Sequence, residues 1–159
     1  MRPPSAPCGL LNSMTFGDYN RAFPDAETGF DWLSRDRDEV QAYVDDPYCG
    51  EVMSAHFFRE LIRGACRVNA PDALRASDRE TSLLLLSGAA DPVGGFGTGV
   101  RTVVAGLQQA GHPAVELKQY DGARHELLHE TNREDVLRDI GSWLEMKISA
   151  CQNGNSSQE

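Results

Sequence analysis

An aspartate and a histidine each follow a segment with the character of a β-strand. Asp91 comes soon after a run of four leucines, and His125 comes after the alternating segment Ala114–Tyr120. A carboxylate that accepts the Nδ1–H of an imidazole fixes its tautomer and stabilises the imidazolium, and Nε2 remains free to activate a nucleophile. Asp91 and His125 could therefore form a general base and the acid that orients it.

Each residue also has an ordinary explanation when it is taken alone. An aspartate after a strand often serves as a turn residue or a helix cap, and a single histidine in a loop is often only solvated. The catalytic interpretation therefore depends on both residues occurring together, in the order acid and then histidine.

The segments around this pair predict an α/β fold from residue 81 onward. The continuous apolar run Ser82–Ser87 is typical of a strand buried on both faces of a parallel sheet, and Ala114–Tyr120 predicts a second strand. A helix between them is indicated by the apolar positions Val100, Val103, Val104, Leu107 and Ala110, closed by Gly111. This order predicts a right-handed βαβ unit with Asp91 and His125 at the carboxyl ends of its strands.

A last helix and a polar tail are expected to follow His125. The sequence Thr131–Glu134 matches a capping box. It precedes an apolar helix face made of Val136, Leu137, Ile140, Trp143 and Leu144. Residues 149–159 form a polar tail rich in Asn, Ser and Gln, and we predict that this tail is disordered.

Three shorter helices are predicted upstream of the α/β segment. Asp36–Tyr43 and Ser54–Val68 place apolar side chains on one face, and a third helix begins at Pro71 with Asn69 as a candidate N-cap. The first 30 residues are rich in proline and glycine, which interrupt regular elements.

Composition excludes several function classes. A net charge of −9 disfavours nucleic-acid binding, which depends on lysine and arginine neutralising phosphates. We find no apolar run that approaches a membrane span and no secretory signal. The four cysteines show no CxxC spacing, so we expect reduced thiols and a cytoplasmic location.

Two further motifs are weaker candidates. The run Gly94–Gly99 has the outer glycine spacing of a phosphate-binding loop, but valine and arginine follow where lysine and serine or threonine are required. A flexible connection to the next helix explains it better than a nucleotide site. His129 lies four residues after His125, but two histidines alone make a weak metal site. We assign no role to His56, His112 or Glu126.

The segments Leu83–Val93, Tyr120–Glu126 and Thr131–Glu134 together resemble the α/β-hydrolases. The closest group is that of the serine aminopeptidases (S33), lysophospholipases and monoacylglycerol lipases, over most of the chain. The resemblance implies that Asp91 is the triad acid and His125 the triad base. It also implies a small hydrophobic acyl-ester substrate and no metal or organic cofactor.

The resemblance extends to the first half of the chain. Phe30–Asp36 and Asp45–Gly50 are similar to the cap of that group, which implies a cap over residues 1–78 and a hydrolase core over residues 79–148. Aromatic residues of this cap could line an acyl-binding groove or could simply pack it. They are Phe16, Tyr19, Phe23, Phe30, Trp32 and Tyr43.

The family pattern requires a nucleophilic serine in a Gly-x-Ser-x-Gly turn ahead of the acid, and this sequence contains no such motif. Ser87 and Ser142 each adjoin a glycine on one side only. We therefore expect the chain alone to be inactive, and to need an N-terminal half that supplies the serine and the remaining strands. The alternative is a non-catalytic remnant or interaction domain that keeps the scaffold without the reaction.

Overall fold

The computed structural model describes residues 5–76 and 78–155. In chain order its helices and strands are α1 (Gly9–Phe16), α2 (Arg37–Asp45), α3 (Ala55–Val68), α4 (Pro71–Ala76), β1 (Leu83–Gly88), α5 (Thr98–Gln109), β2 (Val115–Tyr120) and α6 (Arg133–Asn155). Two 3-10 turns, Tyr19–Ala22 and Leu127–His129, lie between them. Helices therefore dominate the first half, and strands and helices alternate in the second.

Strands β1 and β2 form a parallel pair connected through α5. The register places Leu83 opposite Val115 and Gly88 opposite Tyr120. The pairing continues past the strands, because Ala89 N donates to Tyr120 O at 2.9 Å. The predicted α/β fold is confirmed, and the loops after the two strands leave the sheet side by side.

The leucines of β1 are less buried than the sequence predicts. All four, Leu83–Leu86, are only partly buried. The described residues form a sheet of two strands, so β1 has a strand neighbour on one edge only. In β2 the alternation is retained, because Glu116 and Lys118 are exposed whereas Val115 and Leu117 are partly buried.

The best-packed cluster lies where β2 ends and α6 begins. Buried Tyr120, Ala123 and Val136 form it, and Leu86, Leu127 and Ile140 pack against it. Val136 and Ile140 confirm part of the apolar face predicted for α6. Leu137 and Leu144 are half-exposed, so their predicted burial is wrong. A two-stranded sheet covers only a narrow strip of the helix, and these leucines lie outside it.

The beginning of α6 differs from the predicted capping box. The helix starts at Arg133, and Thr131 N donates to the Glu130 carboxylate at 3.0 Å. The Asn132 side chain accepts from Arg35 at 2.6 Å. The buried Glu130 thus takes the contact that Glu134 was predicted to make with Thr131.

The end of α6 also differs from prediction. The helix continues through Asn155, into the segment 149–159 for which we predicted disorder. Each added helical residue gains one backbone hydrogen bond, and the polar composition of this segment includes no proline to stop it. Residues 156–159 lie outside the described residues.

The upstream helices begin close to their predicted positions. Asp36 caps α2 by accepting from Asp38 N at 3.1 Å, and Ser54 caps α3 by accepting from Phe57 N at 3.2 Å. Helix α4 begins at Pro71 as predicted, but Asn69 ends α3 instead of opening α4. Among the described residues, no helix combines the length and apolarity that crossing a bilayer requires.

Candidate active site

The two residues singled out by the sequence are in contact. His125 Nδ1 lies 3.2 Å from Asp91 Oδ2, beyond the carboxyl ends of β1 and β2. Asp91 is buried, and its other oxygen accepts from Val93 N at 2.8 Å. Asp91 is therefore held by its own loop and presents one oxygen to the imidazole.

The glycine-rich run Gly94–Gly99 belongs to this site. It folds back on the acid, since Phe96 N donates to Asp91 O at 2.8 Å. A Cβ on Gly94 would lie 3.2 Å from Asp91 Oδ2. Gly97, with φ of 79°, adopts a left-handed conformation directly before α5. The run is thus the loop that wraps the acid, a role that the sequence analysis missed.

The end of β1 touches the histidine loop through a glycine. A Cβ on Gly88 would lie 2.1 Å from Arg124 O and 2.2 Å from Ala123 O. Ala90 N also donates to Ala123 O at 2.9 Å. A side chain at residue 88 would force the acid loop and the histidine loop apart.

A third segment, the strap (residues 31–36), packs against the same loops. Trp32 O accepts from His125 N at 3.4 Å, and the two rings lie 5.3 Å apart between centroids. The next strap carbonyl, of Leu33, accepts from Glu126 N at 2.8 Å. The strap therefore forms one wall of the imidazole site, which its predicted place in a cap did not indicate.

The imidazole is partly enclosed and polarised by its partner. The side chain of His125 is 38% exposed to solvent, whereas that of Asp91 is 11% exposed. The hydrogen bond to Asp91 raises the pKa of His125 above its ordinary value, although burial acts against this. The pKa of Tyr19, whose ring lies 5.0 Å from that of Trp32, is raised by burial and then by the charge of Asp91.

Arg124 connects the strap to the histidine loop. Its guanidinium donates to Asp31 O at 2.6 Å and to Ser34 O at 3.1 Å, and it stacks 4.0 Å from the ring centre of Phe23. Ser34 Oγ donates to His129 O at 2.7 Å. These contacts join residues about ninety positions apart in the chain.

A fully buried carboxylate, Glu130, completes this junction. Its Oε1 accepts from Arg124 N at 2.7 Å and Arg35 N at 3.2 Å. Its Oε2 accepts from Arg35 Nε at 2.8 Å and Thr131 N at 3.0 Å. Nothing in the sequence distinguishes Glu130 from the neighbouring acidic residues, so sequence reasoning missed it.

An apolar cavity of about 370 Å³ lies beside the strap. Among its lining residues are four of the predicted aromatic residues, Phe16, Phe30, Trp32 and Tyr43, together with Phe57 and Met53. Of the other two, Tyr19 packs on Trp32 and Phe23 packs under Arg124. Trp32 thus contacts both the cavity and the imidazole.

The remaining weaker candidates, which are histidines, do not join this site. His129 Nδ1 pairs with Glu39 at 2.8 Å, and this bond raises the pKa of His129. His56 contacts Arg59 on α3 at 3.0 Å. Within residues 5–76 and 78–155, no group of three or more His, Cys, Asp or Glu side chains could hold a metal ion. Ser87 Oγ donates to Gly88 O in the strand itself.

Comparison with known proteins places this chain in a family. The family model described as serine aminopeptidase, S33 matches residues 10–132. A lipase in an open form shares 30% identity over 90% of this chain, with a TM-score of 0.78, and 47% of that lipase is covered.

Two further structures share the fold. A thermostable carboxyl esterase from Bacillus coagulans matches 95% of this chain at 24% identity and a TM-score of 0.73, with 47% of the esterase covered. A monoacylglycerol lipase from Paleococcus ferrophilus matches 89% at 22% identity and a TM-score of 0.54, with 54% covered. The chain thus spans about half the length of these proteins. By its family match and its parallel βαβ unit, the chain belongs to the serine aminopeptidase S33 family of α/β-hydrolases.

Proposed function

We propose that this chain supplies the acid and the histidine of a serine hydrolase that cleaves esters of hydrophobic acyl groups. The observation that carries the proposal is the 3.2 Å contact between Asp91 Oδ2 and His125 Nδ1 at the carboxyl edge of the parallel strands. A buried acid and a partly exposed imidazole are the arrangement that a triad base requires.

In this proposal His125 Nε2 takes the proton of a serine hydroxyl while the serine oxygen attacks the ester carbonyl. The same nitrogen then gives the proton to the leaving alkoxide, and the acyl group remains on the serine. In the second half-reaction, His125 takes a proton from water, hydroxide attacks the acyl carbonyl, and the proton returns to the serine as the acid is released. Asp91 stays ionised and stabilises the imidazolium in both steps.

The serine would come from a polypeptide segment that precedes these residues in the fold. The sequence has no Gly-x-Ser-x-Gly motif, and the solved relatives are about twice as long as the match. The N–H groups of the oxyanion hole would come from that segment as well, because they adjoin the nucleophile and an upstream loop. Alone, the chain should not turn over esters.

The cavity beside Trp32 supports an acyl group as the bound part of the substrate. Its lining is mostly aromatic and apolar, and it adjoins the imidazole through one shared side chain. Relatives named as a lipase, a carboxyl esterase and a monoacylglycerol lipase agree with this substrate class. We propose lysophospholipids, monoacylglycerols or simple esters as substrates, hydrolysis without a cofactor, and a cytoplasmic location.

The experiment is a hybrid in which the N-terminal half of the 30% identical lipase precedes this chain. We expect the hybrid to hydrolyse p-nitrophenyl butyrate and the chain alone to be inactive. Asp91→Asn and His125→Gln should each lower kcat by about 10⁴-fold, as loss of a triad partner does. The exposed Asp72→Asn and His56→Gln are matched controls that should retain activity.

Turnover that survives both site substitutions would refute the hydrolase assignment. A folded hybrid without any turnover would instead favour the non-catalytic alternative. Folding of the hybrid is checked independently by its thermal transition, so an inactive result is not confused with an unfolded one.

The acyl cavity is tested by filling it. Met53 lines the cavity, and Met53→Trp should raise KM for p-nitrophenyl decanoate in the hybrid about tenfold while acetate turnover stays unchanged. Met14→Trp, at a position that is 74% exposed, is the control. Equal effects of both variants on decanoate would contradict an acyl role for the cavity.

A further inference from the structure

A buried charge that the mechanism does not use lies five residues beyond His125. The Glu130 side chain has no exposed surface, and a buried carboxylate is costly unless its oxygens are hydrogen-bonded. Five donors surround it: three backbone N–H groups, the Nε of Arg35 and, at 3.5 Å, the Thr131 hydroxyl. These hydrogen bonds hold the carboxylate and the backbone segments that donate to it in one arrangement.

The donors come from both of the segments that border the imidazole, the histidine loop and the strap. Oε1 is shared by Arg124 N, in the residue just before His125, and by Arg35 N of the strap. Arg35 donates a second time through Nε at 2.8 Å to Oε2. One side chain therefore ties the histidine loop to the strap.

The strap in turn borders the imidazole. Trp32 O accepts from His125 N, and the Trp32 ring packs on the imidazole. If the strap moved away, His125 would lose its backbone partner and one wall, and only the contact with Asp91 would orient it.

We propose that Glu130 is a positioning residue for His125, which holds the Arg124 main chain and the strap in the arrangement that keeps the imidazole against Asp91. The catalytic consequence rests on the proposed function, but the orientation of the imidazole does not. Glu130 itself touches no reacting atom.

The first test is Glu130→Gln in the full 159-residue chain, with the His125 imidazole followed by NMR through a pH titration. An amide replaces one acceptor oxygen with an NH₂ group, so at least two of the donors lose their acceptor in either orientation of the amide. We expect the pKa of His125 to fall toward its ordinary value of 6.5, because its alignment with Asp91 is relaxed. Asp91, Glu126 and Tyr19, the titratable groups around the imidazole and Asp91, are unchanged in this variant.

A second variant separates position from charge and serves if Glu130→Gln does not fold. Arg35→Lys retains every formal charge but loses the Nε bond to Glu130 and the bond to Asn132. It should lower the pKa of His125 in the same direction by a smaller amount. Glu39→Gln, which removes the charge that pairs with His129 and Arg133, is the control and should leave the pKa of His125 unchanged.

The kinetic test uses the hybrid with p-nitrophenyl acetate, a substrate too short to fill the acyl cavity. Glu130→Gln should lower kcat by about 10²-fold, the scale of a 1 Å misplacement, with KM nearly constant. The acid limb of kcat/KM should move to lower pH together with the NMR pKa of His125.

A merely structural role gives a different result. If Glu130→Gln and Arg35→Lys lower the melting temperature but leave the His125 pKa and the acid limb in place, the proposal is wrong. Because the NMR titration needs no turnover, it stands even if Asp91→Asn leaves the hybrid active and the proposed function fails.

Discussion

Two regions of this molecule differ in how fully their residues are packed and hydrogen-bonded by the rest of the chain. At the carboxyl edge, the acid loop, the histidine loop and the strap are joined by hydrogen bonds and close backbone contacts. Along the sheet itself, the leucines of β1 are only partly buried, and Leu137 and Leu144 of α6 are half-exposed. Residues of this chain organise the site edge. Along the sheet, β1 has a strand neighbour on one edge only among the described residues.

This difference separates a region that is organised by contacts within the described residues from one that those residues bury only in part. The pair of Asp91 and His125 depends on contacts within the described residues, of which Gly88, the strap and Glu130 are the most constrained. The described residues leave the apolar run of β1 only partly buried. We therefore expect substitutions at the site edge to cost more than comparable ones along the sheet and α6.

The largest stability effect is expected for Gly88→Ala. Its Cβ would overlap two carbonyl oxygens of the histidine loop, so the backbone must shift, at a cost of about 3 kcal/mol in the free energy of unfolding. Gly141→Ala on α6 meets nothing within 4 Å and should stabilise the chain by up to about 1 kcal/mol. Urea denaturation of both variants measures the contrast, and equal effects would contradict it.

A smaller effect is expected from truncating the core beside the site. Val136 is fully buried, and Val136→Ala should lower the free energy of unfolding by about 2 kcal/mol through lost contacts and a cavity. Leu144→Ala, at a half-exposed position of the same helix, removes more atoms but should cost less than about 1 kcal/mol. A larger loss at Leu144 would mean that the flank of α6 is covered in solution.

The smallest effect is expected from pH. Because the folded pKa of His125 lies above its ordinary value, its pairing with Asp91 stabilises the fold fully below about pH 6.5. That stabilisation is lost as the pH rises through the raised folded value. The free energy of unfolding, measured in urea, should therefore decline as the pH rises across this window. Asp91→Asn should reduce that decline, whereas the exposed Asp72→Asn should leave it as it is. An unchanged slope in Asp91→Asn would show that the pair is not formed in solution.

Much of the fold was predictable because it follows from local patterns. The apolar run before Gly88, the helix face closed by Gly111 and the helices predicted near Asp36 and Ser54 are short-range signals, and the structure confirms each element. The meeting of Asp91 and His125 followed from topology, since parallel strands bring their carboxyl ends to one edge. Their catalytic roles stay a prediction.

The errors share a different cause. The capping box at Thr131 was displaced because a buried carboxylate took its contact, and Leu137 remained half-exposed because the sheet beneath α6 is narrow. Neither the width of a packing partner nor a competing tertiary contact is recorded in the local sequence.

Local sequence patterns are enough to establish the order of strands and helices, the acid and histidine at one edge, and the absence of a Gly-x-Ser-x-Gly motif within these residues. Three features of the site emerge only in the folded chain. The strap forms a wall of the imidazole site, Trp32 contacts both the imidazole and an apolar cavity, and Glu130 hydrogen-bonds both the histidine loop and the strap. The two kinds of feature differ in the sequence distance over which their contacts act. Periodicity acts over a few residues, whereas the contacts of Ser34, Arg35 and Arg124 join residues about ninety positions apart and exist only after the chain has folded.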